Sequence, residues 1–324
     1  EAGQATSIEV PLVVEGTIAR PAEDGAASSD QDLFRFSASA ADQWVIETRA
    51  ARDKSPLDSK IEVLHADGQP VGRLLLRAVR DSEVEFRPLP SDNSGARLKN
   101  YEEMLLNQFV YINGEVTKLF RQRRGPDSDS VFYPGVGKRH TFFDTTARSH
   151  PLGQPCYIVL PYPVGTVLPD NGLPVFPVYY ENDDDSRRQF GSDSQLVFTA
   201  PADADYLVRV KDVRGFDGDD YKYQLIIRRP EPGFSIAVSG ANPVISPGSG
   251  KLFTVTATRK DHFNGPIRVD IEGLPAGFQV TTPLLIESGH DSASGLIHAH
   301  PQAAQTDASN WSESRLTATA TVAG

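Results

Sequence analysis

Residues Asp32 to Ala38 (DLFRFSA) put Leu33, Arg35 and Ser37 on one side of the chain and Phe34, Phe36 and Ala38 on the other. Period-two alternation with one aromatic face is the pattern of a half-buried β-strand. Similar runs recur at Ile8 to Val14, Trp44 to Thr48, Lys60 to Leu64, Gln195 to Thr199, Asp205 to Val210 and Tyr221 to Ile227. Turn residues separate them: Glu15-Gly16 and the Pro21 to Ser29 loop follow the first, and Asp67-Gly68, a pair that joins antiparallel strands, follows Lys60 to Leu64. Short strands punctuated in this way specify an all-β chain.

The pattern changes from about Leu75 to Val178, where spacings lengthen and Pro and Gly multiply. There Leu98 to Phe109 (LKNYEEMLLNQF) carries apolar residues near helical spacing and predicts the one short helix. The rest of this insertion reads as short strands at Phe109 to Ile112, Val116 to Phe120, Thr141 to Phe143 and Tyr157 to Leu160. A proline-rich joint, Arg228 to Gly233 (RRPEPG), then divides the chain into residues 1–230, with the insertion at about 75–178, and residues 231–324. Beyond it, six or seven short strands between Phe234 and Val322 predict an immunoglobulin-like sandwich without a cysteine pair.

Charge and composition exclude several functions. With 43 acidic against 32 basic residues, the net charge of −11 repels phosphate backbones, so nucleic acid is not an expected partner. No apolar stretch reaches the roughly 20 residues of a membrane span. The single cysteine, Cys156, lies in a strand-like run (PCYIV) and reads as an inert core residue. The chain opens at Glu1 without an initiator Met and closes at Gly324, and we read both ends as cuts in a longer precursor.

The strongest candidate site is Tyr179-Tyr180-Glu181-Asn182-Asp183-Asp184-Asp185, followed by Gly191-Ser192-Asp193-Ser194. Carboxylates this dense repel one another unless water or a cation neutralises them. Calcium needs six to eight oxygens, which a bent backbone carrying Asp183, Asp184, Asp185 and Asp193 supplies in part. The alternative is a solvated turn offset by Arg187 and Arg188, and the spacing, which is not that of an EF-hand, does not decide between them. Asp30, Asp32 and Asp58 read as turn or strand-end caps, and Asp217-Gly218-Asp219-Asp220 as a hairpin connection.

No catalytic constellation stands out. His298 and His300 share a strand face without a third ligand, and no G-x-S-x-G motif is present. Gly135-Val136-Gly137-Lys138 lacks the spacing and the hydroxyl of a phosphate loop. Arg121, Arg123 and Arg124 read as a solvated turn before Gly125-Pro126, with contact to an anionic glycan or peptide as the alternative. Of the insertion's aromatics, Phe132, Tyr133, Phe142, Phe143, Tyr157, Tyr162, Tyr179 and Tyr180, most are needed for its core, leaving one or two for a sugar- or peptide-binding face.

An ordered set of segments in residues 1–230 resembles the bacterial pre-peptidase C-terminal (PPC) domain. These are Val14 to Ile18 (VEGTI) with Asp30 to Ala38, Ser55 to Lys60 (SPLDSK), Glu181 to Asp185 with Ser192 to Ser194, and Phe198 to Asp203 (FTAPAD) leading into Asp205 to Val210. The resemblance covers about 120 residues and implies a jelly-roll-like β-sandwich, a non-catalytic module of exported proteins. In some relatives, notably the collagen-binding domains of bacterial collagenases, that module binds calcium and an extended protein. This chain departs from the pattern by its insertion of roughly a hundred residues. The second domain looks like the immunoglobulin-like modules of surface proteins, with Asn242-Pro243 before a strand and Gly273 to Phe278 (GLPAGF) as a turn.

The expectation is therefore a non-catalytic binding or adhesion module of a larger exported bacterial protein, extracellular or at the cell surface and stabilised by calcium. Its partners would be an extracellular protein or a polysaccharide, besides the flanking domains of its own precursor. Two alternatives stay open: a passive spacer or maturation module beside an enzyme, and a hydrolase whose site draws on His140, His150, Asp127, Asp129 and Asp144 of the insertion.

Overall fold

The computed structural model describes residues 5–19, 30–125, 128–240, 245–304 and 313–322. The Pro21 to Ser29 loop, Asp127 and the Asn242-Pro243 pair lie outside them. The described chain is all-β, and its only helical segments are the 3-10 turns Ala51–Asp53 and Tyr101–Glu103. Among the described residues no helix is long and apolar enough to cross a membrane. The chain forms two compact units, Glu1–Pro230 and Glu231–Gly324.

The first unit is built on a sandwich. One sheet is formed by β1 (Thr6–Ser7), β3 (Asp32–Ala38), β15 (Ala204–Asp212), β5 (Ser59–His65) and β13 (Glu181–Asn182), in that spatial order. The other runs β14 (Gln195–Thr199), β4 (Gln43–Arg49), β16 (Lys222–Arg228) and β2 (Leu12–Thr17). The alternation in β3 turns Phe34, Phe36 and Ala38 into the core, where they meet Tyr206 and Val208 of β15, Ile46 of β4, Phe198 of β14 and Leu225 of β16. Phe198 packs edge-on against both Phe36 and Tyr206, at centroid distances of 6.1 and 4.9 Å. Each such pair contributes about 0.5–1.5 kcal/mol beyond its buried area. Because β15 and β16 lie in different sheets, the Asp217 to Asp220 segment is a crossover between sheets and not the expected hairpin.

Between β5 and β13 the chain builds a separate seven-stranded sheet. Its order is β12 (Val175–Tyr179), β6 (Gly72–Glu83), β11 (Pro155–Tyr162), β8 (Phe109–Ile112), β9 (Glu115–Arg121), β10 (Ser130–Phe132) and β7 (Gly95–Ala96). Both faces are covered. In β8, Val110 and Ile112 join one apolar cluster with Phe132, Cys156 and Ile158, while Phe109 and Tyr111 join another with Val116, Val159 and Phe176. Asn113 (φ 44°) and Gly114 (φ 92°) close the β8–β9 hairpin with both central residues left-handed, as the tightest hairpin turns require.

The expected helix over Leu98 to Phe109 does not form, apart from the single turn Tyr101–Glu103. Asn100 and Asn107 adopt left-handed backbone (φ 55° and 67°), which interrupts any helix between them. Leu98 and Met104 are buried in the sheet's core, while Leu105 and Leu106 are exposed.

The second unit is another sandwich. One sheet is β17 (Gly233–Ser239), β18 (Gly250–Lys260), β22 (Ser292–Ala299) and β20 (Phe278–Val280); the other is β21 (Leu284–Ile286), β19 (Ile267–Glu272) and β23 (Arg315–Thr319). Phe253, Val255, Ile267, Val269, Ile286 and Ile297 fill the space between them.

Candidate functional site

The acidic turn leaves β13 where the inserted sheet rejoins the sandwich. Asn182, 2% exposed, fixes this seam: its amide nitrogen donates to the Asp144 carbonyl (2.8 Å) and its amide oxygen accepts from the Gln195 N–H (2.9 Å). The Asp144 carboxylate, from an insertion loop, pairs with Arg73 of β6 and accepts the N–H of Val197 in β14 (3.0 Å). The insertion is thus joined to the sandwich by buried polar groups that are satisfied on both sides.

The four aspartates of the turn divide into two pairs. Asp193, fully buried, accepts the backbone N–H groups of Ala50 (2.8 Å), Ala51 (2.7 Å) and Arg52 (3.2 Å) and the Arg52 Nε (2.7 Å). Asp185, 3% exposed, accepts the N–H groups of Arg187 (3.0 Å), Gln189 and Phe190 (3.3 Å) of its own turn. Both carboxylates act as loop anchors, a role that a charge run does not reveal in sequence.

Asp183 and Asp184 are less committed. The Asp183 N–H donates to Thr146 Oγ1 (3.1 Å), and its Oδ1 is buried without a hydrogen-bond partner. Burial pushes the Asp184 carboxyl up to about 6, opposed by Arg188 and reinforced by the charges of Asp183, Asp58 and Asp185. Burial also raises the Asp58 carboxyl, with Arg214 opposing and Asp212 and Asp183 reinforcing. Asp58, Asp183 and Asp184 therefore share one neighbourhood of excess negative charge.

Asp30 and Asp32 stand apart from it, as caps: Asp30 accepts the N–H groups of Ala19 and Gln31 (2.9 Å each), and Asp32 accepts the Tyr223 hydroxyl (2.6 Å). The fit to a hard cation is partial. Asp183 and Asp184 offer unmet acceptor capacity, whereas Asp185 and Asp193 are spent on backbone, and the described residues hold no ready group of three or more ligating side chains.

A cleft of about 200 Å³ opens beside Asp183 along the seam, lined by Lys60, Tyr111, Thr146, Arg148, Tyr179 and Asp183 among others. Lys60 sits between Glu62 (3.2 Å) and Glu181 (2.8 Å). Tyr111 stacks on Phe176 at 4.0 Å with 17° between the rings, and Tyr157 packs 5.2 Å from Phe176. Of the insertion's aromatics, Phe132, Tyr133 and Tyr180 are buried and Tyr179 is 38% exposed. Phe86, whose sequence neighbourhood carries no binding signal, is 72% exposed, in left-handed backbone (φ 70°), with the Arg97 guanidinium 4.5 Å from its ring. A second, wider cleft of about 720 Å³ lies on the outer face of the four-stranded sheet, between Arg49, Asp53, Lys54, Asp220, Lys222 and Gln224.

The histidines of the insertion line neither cleft. His150 Nε2 lies 2.8 Å from Glu115 Oε2, but the same carboxylate is held by Arg139 and by the Arg148 N–H (2.8 Å). His140 is kept neutral, its pKa lowered to about 3 by burial and by Arg187 and Arg188. Asp129 pairs with Arg87 and with Arg97 (3.2 Å). The His140 Nδ1 lies 3.1 Å from the Arg187 guanidinium, so each ring faces a charged group of the insertion or the acidic turn.

Comparison with family models, with curated proteins and with solved structures gives no match in any of the three.

Proposed function

We propose that this chain is a non-catalytic binding module of a larger exported bacterial protein, related to the PPC domains it resembles, and that it recognises an extracellular glycan or protein. The observation that supports this reading is the seam cleft. Tyr111, backed by Phe176, and Tyr179 line it together with Asp183 and Arg148, polar groups with capacity left over, whereas a passive spacer needs neither. Calcium at the acidic turn belongs to the same reading: Asp183 and Asp184 would hold it, with backbone carbonyls and water completing the shell, and it would neutralise charge that the fold leaves uncompensated. The assignment as non-catalytic draws on the two insertion histidines, which line neither cleft: His150 faces the Glu115 carboxylate and His140, buried and neutral, faces the Arg187 guanidinium.

Two measurements test it. The first unit should melt higher with calcium than with chelator, and the difference should vanish in Asp183→Ala and Asp184→Ala; a ligand at a hundred times its Kd stabilises by about 2.7 kcal/mol. An array of glycans, collagen-like proteins and peptides should yield a partner. A clean array, together with melts indifferent to calcium, would leave the spacer reading in its place.

A further inference from the structure

The seam cleft carries a more specific assignment, which rests on the binding-module reading. We propose that it takes a single hexuronate unit of an acidic polysaccharide, with the sugar carboxylate on Arg148 and the ring's apolar face against the wall formed by Tyr111 and Tyr179.

The size sets the first limit. About 200 Å³ is room for one sugar ring, whereas a longer segment of chain would lie largely outside the cleft. The wall sets the second. Tyr111 is held rigid by its stack on Phe176, so a ring that packs against it meets a preorganised aromatic surface. The polar groups then divide by role. The Thr146 hydroxyl accepts the Asp183 N–H and keeps its own proton to donate to a sugar oxygen, while the Asp183 carboxylate stays with the cation.

Of the charged groups on the lining, Glu181 is held by Lys60, and Asp183 is offset when calcium is bound, which leaves Arg148 to favour an acidic over a neutral sugar. Lys60 is already engaged by two glutamates. Arg148 is different: among the described residues its guanidinium has no carboxylate in an ion pair, and its backbone is fixed because its N–H donates to Glu115 and its carbonyl accepts from Arg139. A planar guanidinium held by a rigid backbone at the mouth of a cleft is suited to a carboxylate. The protein's net charge of −11 makes indiscriminate attachment of polyanions unfavourable, so selective binding of a polyuronate would report a local site.

The test is calorimetric titration of the full chain, in calcium, with oligogalacturonate and with the same oligomer fully methyl-esterified, which keeps the ring and removes the charge. The acid form should bind more tightly. Arg148→Gln should weaken the acid form by about tenfold or more without affecting the ester, and Tyr179→Ala should weaken both. Both side chains are exposed, so melting curves matching the parent should confirm that the variants fold. Equal binding of acid and ester, or an unchanged Arg148→Gln, would overturn the uronate assignment while leaving a glycan site. Equal displacement by polyglutamate would show that the cleft reads charge alone and would overturn the sugar. If no oligouronate binds while the array finds another partner, the inference fails and the binding-module reading stands; a clean array would remove both.

Discussion

Glu115 and Arg139 are both fully buried and meet in a two-pronged ion pair, with Arg139 Nη2 donating to Glu115 Oε2 at 2.9 Å and Nε to Oε1. The remaining capacity is also used: Arg139 donates to the carbonyls of Pro90, Asn93 and Arg148, and Glu115 accepts from the Arg148 N–H and faces His150. The pair thereby ties four separate loop positions of the insertion to β9.

Removing one partner strands the other charge in the interior. Glu115→Gln and Arg139→Met should each cost about 3–5 kcal/mol, and the double variant should cost less than their sum. Urea denaturation of the first unit measures this. Single losses of about 1 kcal/mol or less, the range of exposed pairs, would show that the pair is solvated.

Asp193 makes a similar prediction for the sandwich. Its carboxylate holds three consecutive backbone N–H groups and Arg52, whose guanidinium also lies 4.2 Å from the Phe190 ring. Asp193→Ala leaves those donors without an acceptor and should lower stability by about 2–4 kcal/mol, in calcium and in chelator alike. A loss confined to calcium-containing buffer would instead make Asp193 a ligand.

Cys156 gives a clean reporter. It is fully buried beside Ile158 in the insertion's core, and burial pushes its thiol up to about 12 against a lowering hydrogen bond with Ser82. The thiolate is the reactive form, so a disulfide reagent should leave the native protein unlabelled at neutral pH and modify one thiol per chain once denaturant opens the insertion. Prompt native labelling would contradict the packing around β11.

What the sequence disclosed depended on whether a residue's role is set by its near neighbours. Phe34, Phe36 and Ala38 point into the core because alternation along one strand is a local property. The twelve-residue β6 gives no clear signal in sequence: its run of three leucines followed by unevenly spaced charges has no single period, because its side chains serve both faces of a sheet paired on each edge. Asn113-Gly114 between two apolar runs, by contrast, is a local hairpin signal, and the structure places a tight turn there. The acidic turn was legible as a concentration of charge, but its division was not. Asp193 finds its donors some 140 residues away, at Ala50 to Arg52, and only the folded chain shows that it anchors a loop while Asp184 does not.

Asp184 should then behave opposite to an anchored carboxylate. Its folded pKa of about 6 exceeds the ordinary 3.8, so the fold prefers the protonated form. Below about pH 4 both states are protonated and the group contributes no pH dependence. Between about 4 and 6 the unfolded chain ionises first and stability falls; above 6 the penalty stays constant, about 1–2 kcal/mol after allowance for solvent screening. Asp184→Asn removes that charge. In chelator at pH 7 the variant should therefore be more stable than the parent, by a few degrees in Tm for a unit of this size, and the advantage should vanish at pH 3.5. Calcium should raise the parent toward the variant and leave the variant unchanged, because a bound cation offsets the same charge that the amide removes. A variant less stable than its parent at pH 7 in chelator would mean that the ionised Asp184 is already compensated within the fold, and the acidic turn would lose its reason to bind a cation.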